Sequence, residues 1–286
     1  MSRRDILTSP RVVELKKKKR KRRTRRIILF SLLIITIIAW LSYFSNHRSV
    51  TINKIIIEGN NVIDQEDIDK IVEDNFSGKY FRLFSKRNSF IYPKDDLYND
   101  LIESFPRIKE LDVFLSKFNT LNISLIERSG SFLWCGDEIP EKKFIGENCY
   151  YLNDLGYLFD QAPYFSGNLF LKFYVPILDN PLGSQMLSED KFNSLVKFIE
   201  VVSELELRPI YLVIDNNEYN LYLNHSEKAT SPKIIFNKEN NLEEIASNLI
   251  LTMKKDEFNN KIINNYNKLL YLDLRFNNKV LYKFKK

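Results

Sequence analysis

Residues 16–44 read KKKKRKRRTRRIILFSLLIITIIAWLSYF, and this stretch decides how the rest of the chain is arranged. Ten of its first eleven residues are basic, and residues 27–44 carry no charge. At a rise of about 1.5 Å per residue, a helix over residues 27–44 is about 27 Å long, which matches the hydrocarbon core of a bilayer. The pattern predicts a transmembrane helix over residues 27–44, with Trp40 and Tyr43 anchoring its outer end among the lipid headgroups.

The basic segment also predicts the orientation of this helix. Cationic residues resist translocation, so we expect residues 1–26 to be a cytoplasmic tail and the rest of the chain to be extracytoplasmic. A cleaved signal peptide fits less well, because the apolar run is long and SNHRSV follows it instead of a small-residue cleavage site. A buried soluble helix would rarely lack a polar face. The sequence therefore predicts a single-pass protein of the inner (plasma) membrane.

The distribution of charge limits the possible partners. Residues 1–26 hold 13 of the 43 Lys and Arg residues and only 2 of the 37 acidic residues, so the remainder of the chain is slightly acidic. A polybasic segment beside a membrane span is expected to bind anionic lipid. We therefore expect membrane lipid to be a partner and expect no nucleic-acid partner.

Residues 50–128 are predicted to form a strand–helix–helix–strand–strand unit. The first strand is a β-branched run at residues 53–58, and Asp64 is the N-cap of the first helix. Pro93 opens the second helix, and two alternating strands follow at residues 108–115 and 119–126. Such an order places two helices over one face of a three-stranded sheet.

Residues 129–286 are predicted to form a mixed β-sheet domain with flanking helices. The signals are a hairpin, a helix capped by Ser188, three alternating strands, a helix capped by Asn241 and a final hairpin turning at Asn277 and Asn278. The predicted strands of this unit span residues 149–159, 210–214, 219–223, 233–236, 268–276 and 279–284. The fold class predicted for the whole chain is α+β.

This order of parts resembles the FtsQ/DivIB family of bacterial cell-division proteins. The local matches are NKIIIEGN, SLIER, YLDLRF and a tyrosine-rich hairpin, at residues 53–60, 124–128, 271–276 and 150–159. The first two are similar to the start and end of the family's POTRA domain, and the third is similar to its C-terminal signature. The chain departs from the family pattern at Ser129-Gly130, where a proline is common, and in a lengthened loop over residues 135–148.

The resemblance implies a membrane scaffold of the division septum without catalytic activity, cofactor or small-molecule substrate. Its implied partners are small bitopic coiled-coil proteins of the FtsB/DivIC and FtsL type. A second interpretation is a single-pass POTRA protein of polypeptide transport or envelope assembly, because a POTRA-like unit alone does not separate the two. The single such unit after the span, followed by a mixed β domain, favours division.

The last predicted strand is the candidate partner-binding edge. Alternation places Val280, Tyr282 and Phe284 on one face of this strand and Leu281 on the other. An edge strand has unpaired N–H and C=O groups to which a partner strand can add by β-augmentation. The same residues could instead merely complete the sheet, and the resemblance favours the binding edge.

No catalytic or metal-binding motif is present in the sequence. His47 and His225 are the only histidines, and neither lies in a zinc motif. Asp154 and Asp160 could in principle act as an acid–base pair, but solvated loop carboxylates are far more common. We therefore expect no enzymatic activity and no metal site. Asp273 and Arg275 share one face of a predicted strand and could pair with each other.

Cys135 and Cys149, the only two cysteines, bracket a hydrophilic loop outside the membrane. A disulfide closing this ring would add about 3 kcal/mol of stability in the chain-entropy model. Two separate reduced thiols are the alternative, which is common where the organism has no oxidising export pathway.

Overall fold

The structure is a computed structural model that describes residues 10–137, 148–165, 167–176, 180–215, 217–225, 231–276 and 279–285. It has a mixed α/β architecture with an N-terminal apolar helix and a large mixed sheet. The chain divides into two compact units. The first unit contains residues 1–102 and 110–125, and the second contains residues 103–109 and 126–286.

Helix α1 spans Pro10–Ser45 and therefore includes the basic segment as well as the predicted span. Within the described part of the chain, it is the one helix that is long and apolar enough to cross a membrane. The Ser42 and Ser45 side chains near its end are partly or fully buried, whereas the preceding apolar side chains are exposed. A short 3₁₀ turn at Arg48–Val50 leads from α1 into the first sheet.

The first unit contains a three-stranded sheet in the order β1-β5-β4 and two helices. The elements after α1 are β1 Lys54–Glu58, α2 Gln65–Phe76, β2 Lys79–Tyr80, β3 Phe84–Ser85, α3 Lys94–Ser104, β4 Ile108–Lys117 and β5 Thr120–Glu127. Strand β1 pairs in parallel with β5, because the two helices carry the chain across the sheet. The predicted order of three strands and two helices is confirmed, but the small β2–β3 hairpin was not predicted.

Gly59 ends β1 and is required there for two reasons. Its φ of +91° is a conformation that side chains disfavour, and a Cβ atom would lie 1.9 Å from the Leu125 carbonyl oxygen. The turn after β1 therefore depends on this glycine.

The second unit is built on a nine-stranded sheet in the order β14-β13-β12-β11-β10-β9-β6-β7-β8. Its strands are β6 Phe132–Trp134, β7 Cys149–Leu152, β8 Leu158–Ala162, β9 Lys172–Tyr174, β10 Pro209–Asp215, β11 Glu218–Leu223, β12 Lys233–Asn237, β13 Leu269–Asp273 and β14 Leu281–Phe284. Its helices are α4 Glu189–Glu204, α5 Leu242–Met253 and α6 Asp256–Asn264.

The helices of the second unit cover one face of this sheet. Alternate strand residues such as Phe173, Leu221 and Phe236 are fully buried in the same core cluster as Leu195 of α4 and Leu249 of α5. The main core therefore lies between the sheet and the helices.

The predicted strands from β10 to β12 and the predicted hairpin β7–β8 are confirmed. The final hairpin is also present, but β13 ends at Asp273 and its connection to β14 is longer than the predicted two-residue turn. The predicted turn residues 277 and 278 lie outside the described residues. The predicted cap at Asn241 is confirmed, since its side chain accepts from the amides of Glu243 and Glu244. Asp64 and Ser188 occupy the N-cap positions without a side-chain cap hydrogen bond.

Candidate partner-binding edge

Strand β14 is the outermost strand at one end of the nine-stranded sheet. It pairs antiparallel with β13, with Asp273 opposite Leu281, Leu272 opposite Tyr282 and Tyr271 opposite Lys283. Within the described residues, no backbone hydrogen bond joins β14 to any element other than β13. This edge is therefore open to an added strand.

The orientation of its free backbone groups follows from two hydrogen bonds. The Leu274 amide donates to the Ile235 carbonyl on β12, and the Lys285 amide donates to the Lys268 carbonyl on the side of β13. Because backbone groups alternate along a strand, the N–H and C=O groups of Tyr282 and Phe284 point toward the free edge. These are the groups to which a partner strand would bond.

The side chains of β14 divide between the two faces as predicted. Tyr282 and Phe284 pack against the main core, and the Tyr282 ring meets the Phe258 ring of α6 at a centroid distance of 5.4 Å. The Lys261 Nζ atom lies 5.0 Å from the centre of the Tyr282 ring. A side-chain hydrogen bond with Tyr282 raises the pKa of Lys261. The edge strand is thus held to α6 through its inner face, while Leu281 on the other face is 45 % exposed.

On the face away from the helices, lysines and tyrosines form a row across six strands. The registers of successive strand pairs place these residues side by side, in the order Lys172, Tyr211, Tyr222, Lys233, Tyr271 and Lys283. The Tyr211 and Tyr222 rings stack at 4.5 Å, and Lys233 Nζ lies 5.7 Å from the Tyr222 ring centre. Burial, with a smaller effect of Tyr222, raises the pKa of Tyr211 to about 12. The row reaches the open edge at Lys283.

A charged cluster stands next to this row. Arg275 Nη2 donates to Asp273 Oδ2 at 2.6 Å, and Arg275 Nη1 donates to Glu218 Oε1 at 2.7 Å. Burial would raise the pKa of Asp273, but the hydrogen bonds from the Arg275 side chain and backbone outweigh it, so the pKa is lowered. The Asp273–Arg275 pair was foreseen from the sequence, whereas Glu218 was not.

The other end of the sheet is covered at the start of its edge strand. Strand β8 is the last strand there, and the Leu158 amide donates to the Ser184 carbonyl while the Gly183 amide donates to the Leu158 carbonyl. A bridge between Tyr157 and Gln185 continues this cover. The loop at residues 180–186 therefore bonds to the N–H and C=O groups of Leu158, which a partner strand would otherwise need.

Asp160 on β8 has a structural role that the sequence did not reveal. Arg107 Nε donates to Asp160 Oδ2 at 2.5 Å, and the Arg107 guanidinium carbon lies 5.2 Å from the Phe159 ring centre. Asp154 lies exposed in the turn between β7 and β8, whereas the carboxylate of Asp160 is paired with Arg107.

The remaining predicted site residues lie apart from this edge. Trp40 is 64 % exposed and stacks on Phe44 at 5.8 Å, and Tyr43 is also exposed, so both rings are available at the end of α1. Cys135 and Cys149 form a disulfide beside β6 and β7, and residues 138–147 of the loop between them lie outside the described residues. Within the described part of the chain, no group of three or more His, Cys, Asp or Glu residues is placed to hold a metal ion.

Comparison with known proteins adds no family or relative. No protein-family model matches the chain, and no curated protein is significantly similar to it.

Proposed function

We propose that this chain is a single-pass membrane scaffold of the bacterial cell-division machinery, with its N-terminus in the cytoplasm and both folded units outside. In this role it captures small coiled-coil proteins of the FtsB/DivIC and FtsL type and links them to septal wall synthesis. The proposal combines the sequence resemblance with three features: the apolar helix α1, the first unit and the open edge at β14.

The first unit supports the proposal through its topology. The unit contains a strand, two helices and two further strands, with the spatial order β1-β5-β4, and this is compatible with the proposed POTRA-like domain. Fold alone does not determine function, so this feature is compatible with a transport or assembly protein as well.

The contrast between the ends of the large sheet is the observation that carries the proposal. At one end the chain covers Leu158, at the start of β8, and at the other end the N–H and C=O groups of Tyr282 and Phe284 point outward. Proteins normally protect edge strands because an open one pairs with other chains. The outward groups of β14 are therefore available to pair with a strand of another chain, which supports a docking role for this strand.

The row of lysines and tyrosines indicates what such a partner segment would contain. A strand added at β14 would place one side chain directly beside Lys283, at the end of the row that includes Lys233 and Tyr271. Cross-strand pairs of opposite charge are favourable and pairs of like charge are unfavourable. We expect an acidic or aromatic residue of the partner at this position.

Site-specific photo-cross-linking in dividing cells tests the proposal. A photoreactive amino acid replaces Leu281, which is exposed on the edge strand, or Leu251, which is 62 % exposed on α5 and serves as the control. We expect Leu281 to cross-link to an FtsB/DivIC-type protein and Leu251 not to. Equal cross-linking at both positions, or none at Leu281, would contradict the docking role of β14.

Immunofluorescence of the native protein separates division from the alternative. A band at mid-cell before constriction is the expected result. An even distribution around the envelope would instead favour polypeptide transport or envelope assembly.

A further inference from the structure

The small hairpin formed by β2 and β3 has an unusual tip. Tyr80 pairs with Phe84, and the Leu83 amide donates to the Tyr80 carbonyl at 2.9 Å, which closes a tight turn around Phe81 and Arg82. Both turn residues have positive φ, +49° at Phe81 and +62° at Arg82. Turns of this kind normally use Asn and Gly, because bulky side chains disfavour that conformation. The sequence therefore has a phenylalanine and an arginine at two positions whose backbone conformation disfavours bulky side chains.

The tip is exposed and combines apolar with basic side chains. Phe81 is 89 % exposed and Leu83 is 41 % exposed. Arg82 lies between them and is also exposed, while Lys79 and Lys86 flank the hairpin on either side. No acidic residue occurs between positions 79 and 88. An aromatic ring beside cationic side chains suits the boundary between lipid headgroups and acyl chains.

Hydrogen bonds tie this hairpin to the end of α1. The Ser42 hydroxyl donates to the Leu83 carbonyl at 2.8 Å, and Asn46 Nδ2 donates to the same carbonyl at 3.2 Å. Just beyond the hairpin, Asn88 Nδ2 donates to the Ser45 carbonyl at 3.1 Å. Ser42 precedes the end of the uncharged run by two residues, which is about 3 Å along the helix. The hairpin is therefore attached at the depth where the apolar run of α1 ends.

A groove between the helix and the hairpin adds to this surface. It has a volume of about 710 Å³, and its lining includes Ala39 and Leu83 on the apolar side and His47 and Arg48 on the polar side. This arrangement matches the change from acyl chains to phosphate groups across a bilayer surface.

We propose that the hairpin tip, Phe81-Arg82-Leu83, inserts into the outer headgroup region of the membrane beside α1 and binds anionic phospholipid there. This inference rests on the proposed role of α1 as a membrane span. In it, the Phe81 ring lies among the upper acyl chains, and Arg82 contacts lipid phosphate. The first unit is thereby fixed against the bilayer by two points instead of by α1 alone.

Fluorescence quenching by brominated lipid tests this placement on the full chain in lipid nanodiscs. Phe81→Trp is the test variant, and Val62→Trp is its control, because Val62 is 58 % exposed beyond the end of β1 that is remote from α1. Both variants also carry Trp40→Phe, so that Trp134, which is 8 % exposed, is the remaining native indole.

We expect the emission of the indole introduced by Phe81→Trp to shift to the blue and to be largely quenched. The emission of the indole introduced by Val62→Trp should be unaffected by the brominated lipid. If the Phe81→Trp variant emits as far to the red as the Val62→Trp variant and is as little quenched, the inference is overturned.

A measurement on the wild-type chain separates this inference from the proposed span. Trp40 lies on α1 and reports on the helix itself. Quenching of Trp40 in the wild type, without quenching of the introduced indole in the Phe81→Trp variant, would reject the hairpin insertion and retain the span. An unquenched Trp40 would instead count against α1 as a span.

A further variant tests the recognition of anionic headgroups. Adding Arg82→Glu to the Phe81→Trp variant should reduce the quenching in phosphatidylglycerol discs and change it little in phosphatidylcholine discs. An equal response in both lipids would contradict a contact between Arg82 and anionic lipid.

Discussion

The two edge strands of the nine-stranded sheet, β8 and β14, differ in how their outward backbone groups are bonded. At β8, the loop at residues 180–186 bonds to the Leu158 backbone, and Asp160 is engaged by Arg107. At β14, side chains of one face pack against α6, but the outward backbone groups meet no described residue of the chain. The described residues thus cover Leu158 at one edge and leave the outward backbone groups of β14 uncovered. Because an uncovered edge strand can pair with another chain, the comparison identifies β14 as the edge to perturb first.

The largest effect is expected from blocking the open edge. Tyr282→Pro removes an N–H that points outward, and proline cannot join a second ladder at this position. Both variants lose the contact between the Tyr282 and Phe258 rings, but Tyr282→Ala keeps the N–H. We expect Tyr282→Pro to abolish capture of the FtsB/DivIC-type partner and Tyr282→Ala to weaken it only, as measured by co-purification. Equal loss in both variants would mean that the ring, and not the edge, carries the binding.

The second prediction concerns a variant that removes the cover over Leu158 at the start of β8. Gly183 has a φ of +80°, and its amide donates to the Leu158 carbonyl, so Gly183→Pro conflicts with both. We expect a loss of about 3 kcal/mol in the free energy of unfolding. We also expect self-association through the exposed β8.

Gly183→Ala is the matched control for this change. It keeps the amide and costs about 1 kcal/mol for the positive φ. Urea denaturation and sedimentation velocity check both variants. A monomeric Gly183→Pro protein would show that the loop at residues 180–186 is not what protects this edge.

A smaller effect is expected from the ion pair at β8. Asp160→Asn removes the charge that Arg107 faces, and because Asp160 is 38 % exposed we expect a loss of only about 1 kcal/mol in unfolding free energy. Asp154→Asn in the neighbouring turn should change it by less. If Asp160→Asn and Asp154→Asn have the same free energy of unfolding in urea, Arg107 is held by its aromatic neighbours alone.

The smallest effect is a pH dependence near the open edge. Folding lowers the pKa of Asp273, so the unfolded chain binds this proton more tightly than the folded chain does. The stabilisation is therefore complete above the ordinary carboxyl pKa of about 4 and is lost as the pH falls through the lower, folded value. The difference in unfolding free energy between wild type and Asp273→Asn should be constant from pH 7 to about pH 5 and should narrow below about pH 4. A constant difference down to about pH 2 would contradict the role of Arg275 in holding the carboxylate.

Several elements were predictable because short-range sequence patterns determine them. The apolar run before Phe44, the cap at Asn241 and the tyrosine-rich hairpin β7–β8 are each specified by a few adjacent residues. The strands β6 and β9 were missed because each has three residues and is defined by pairing with neighbours, including the parallel pair that the two form with each other across a long loop. No periodicity can be measured over so short a segment.

The features that make the candidate site depend on pairs distant in sequence. Arg107 meets Asp160 across 53 residues, and Arg275 meets Glu218 across 57. The row that ends at Lys283 requires the registers of five strand pairs at once. The identity of the last strand and the facing of its side chains were predictable from alternation. The cover over Leu158 at the opposite edge was not predictable, because the sequence of the loop at residues 180–186 carries no signal of this contact.

The order of the strands along the chain has a consequence for biosynthesis. Strand β14 follows every other strand of its sheet in the sequence, so it is the last of them to leave the ribosome. Until it arrives, β13 with Tyr271 and Leu272 is the terminal strand. If β14 is the docking strand, as proposed, a nascent chain becomes competent to bind its partner only when the synthesis of this sheet is finished.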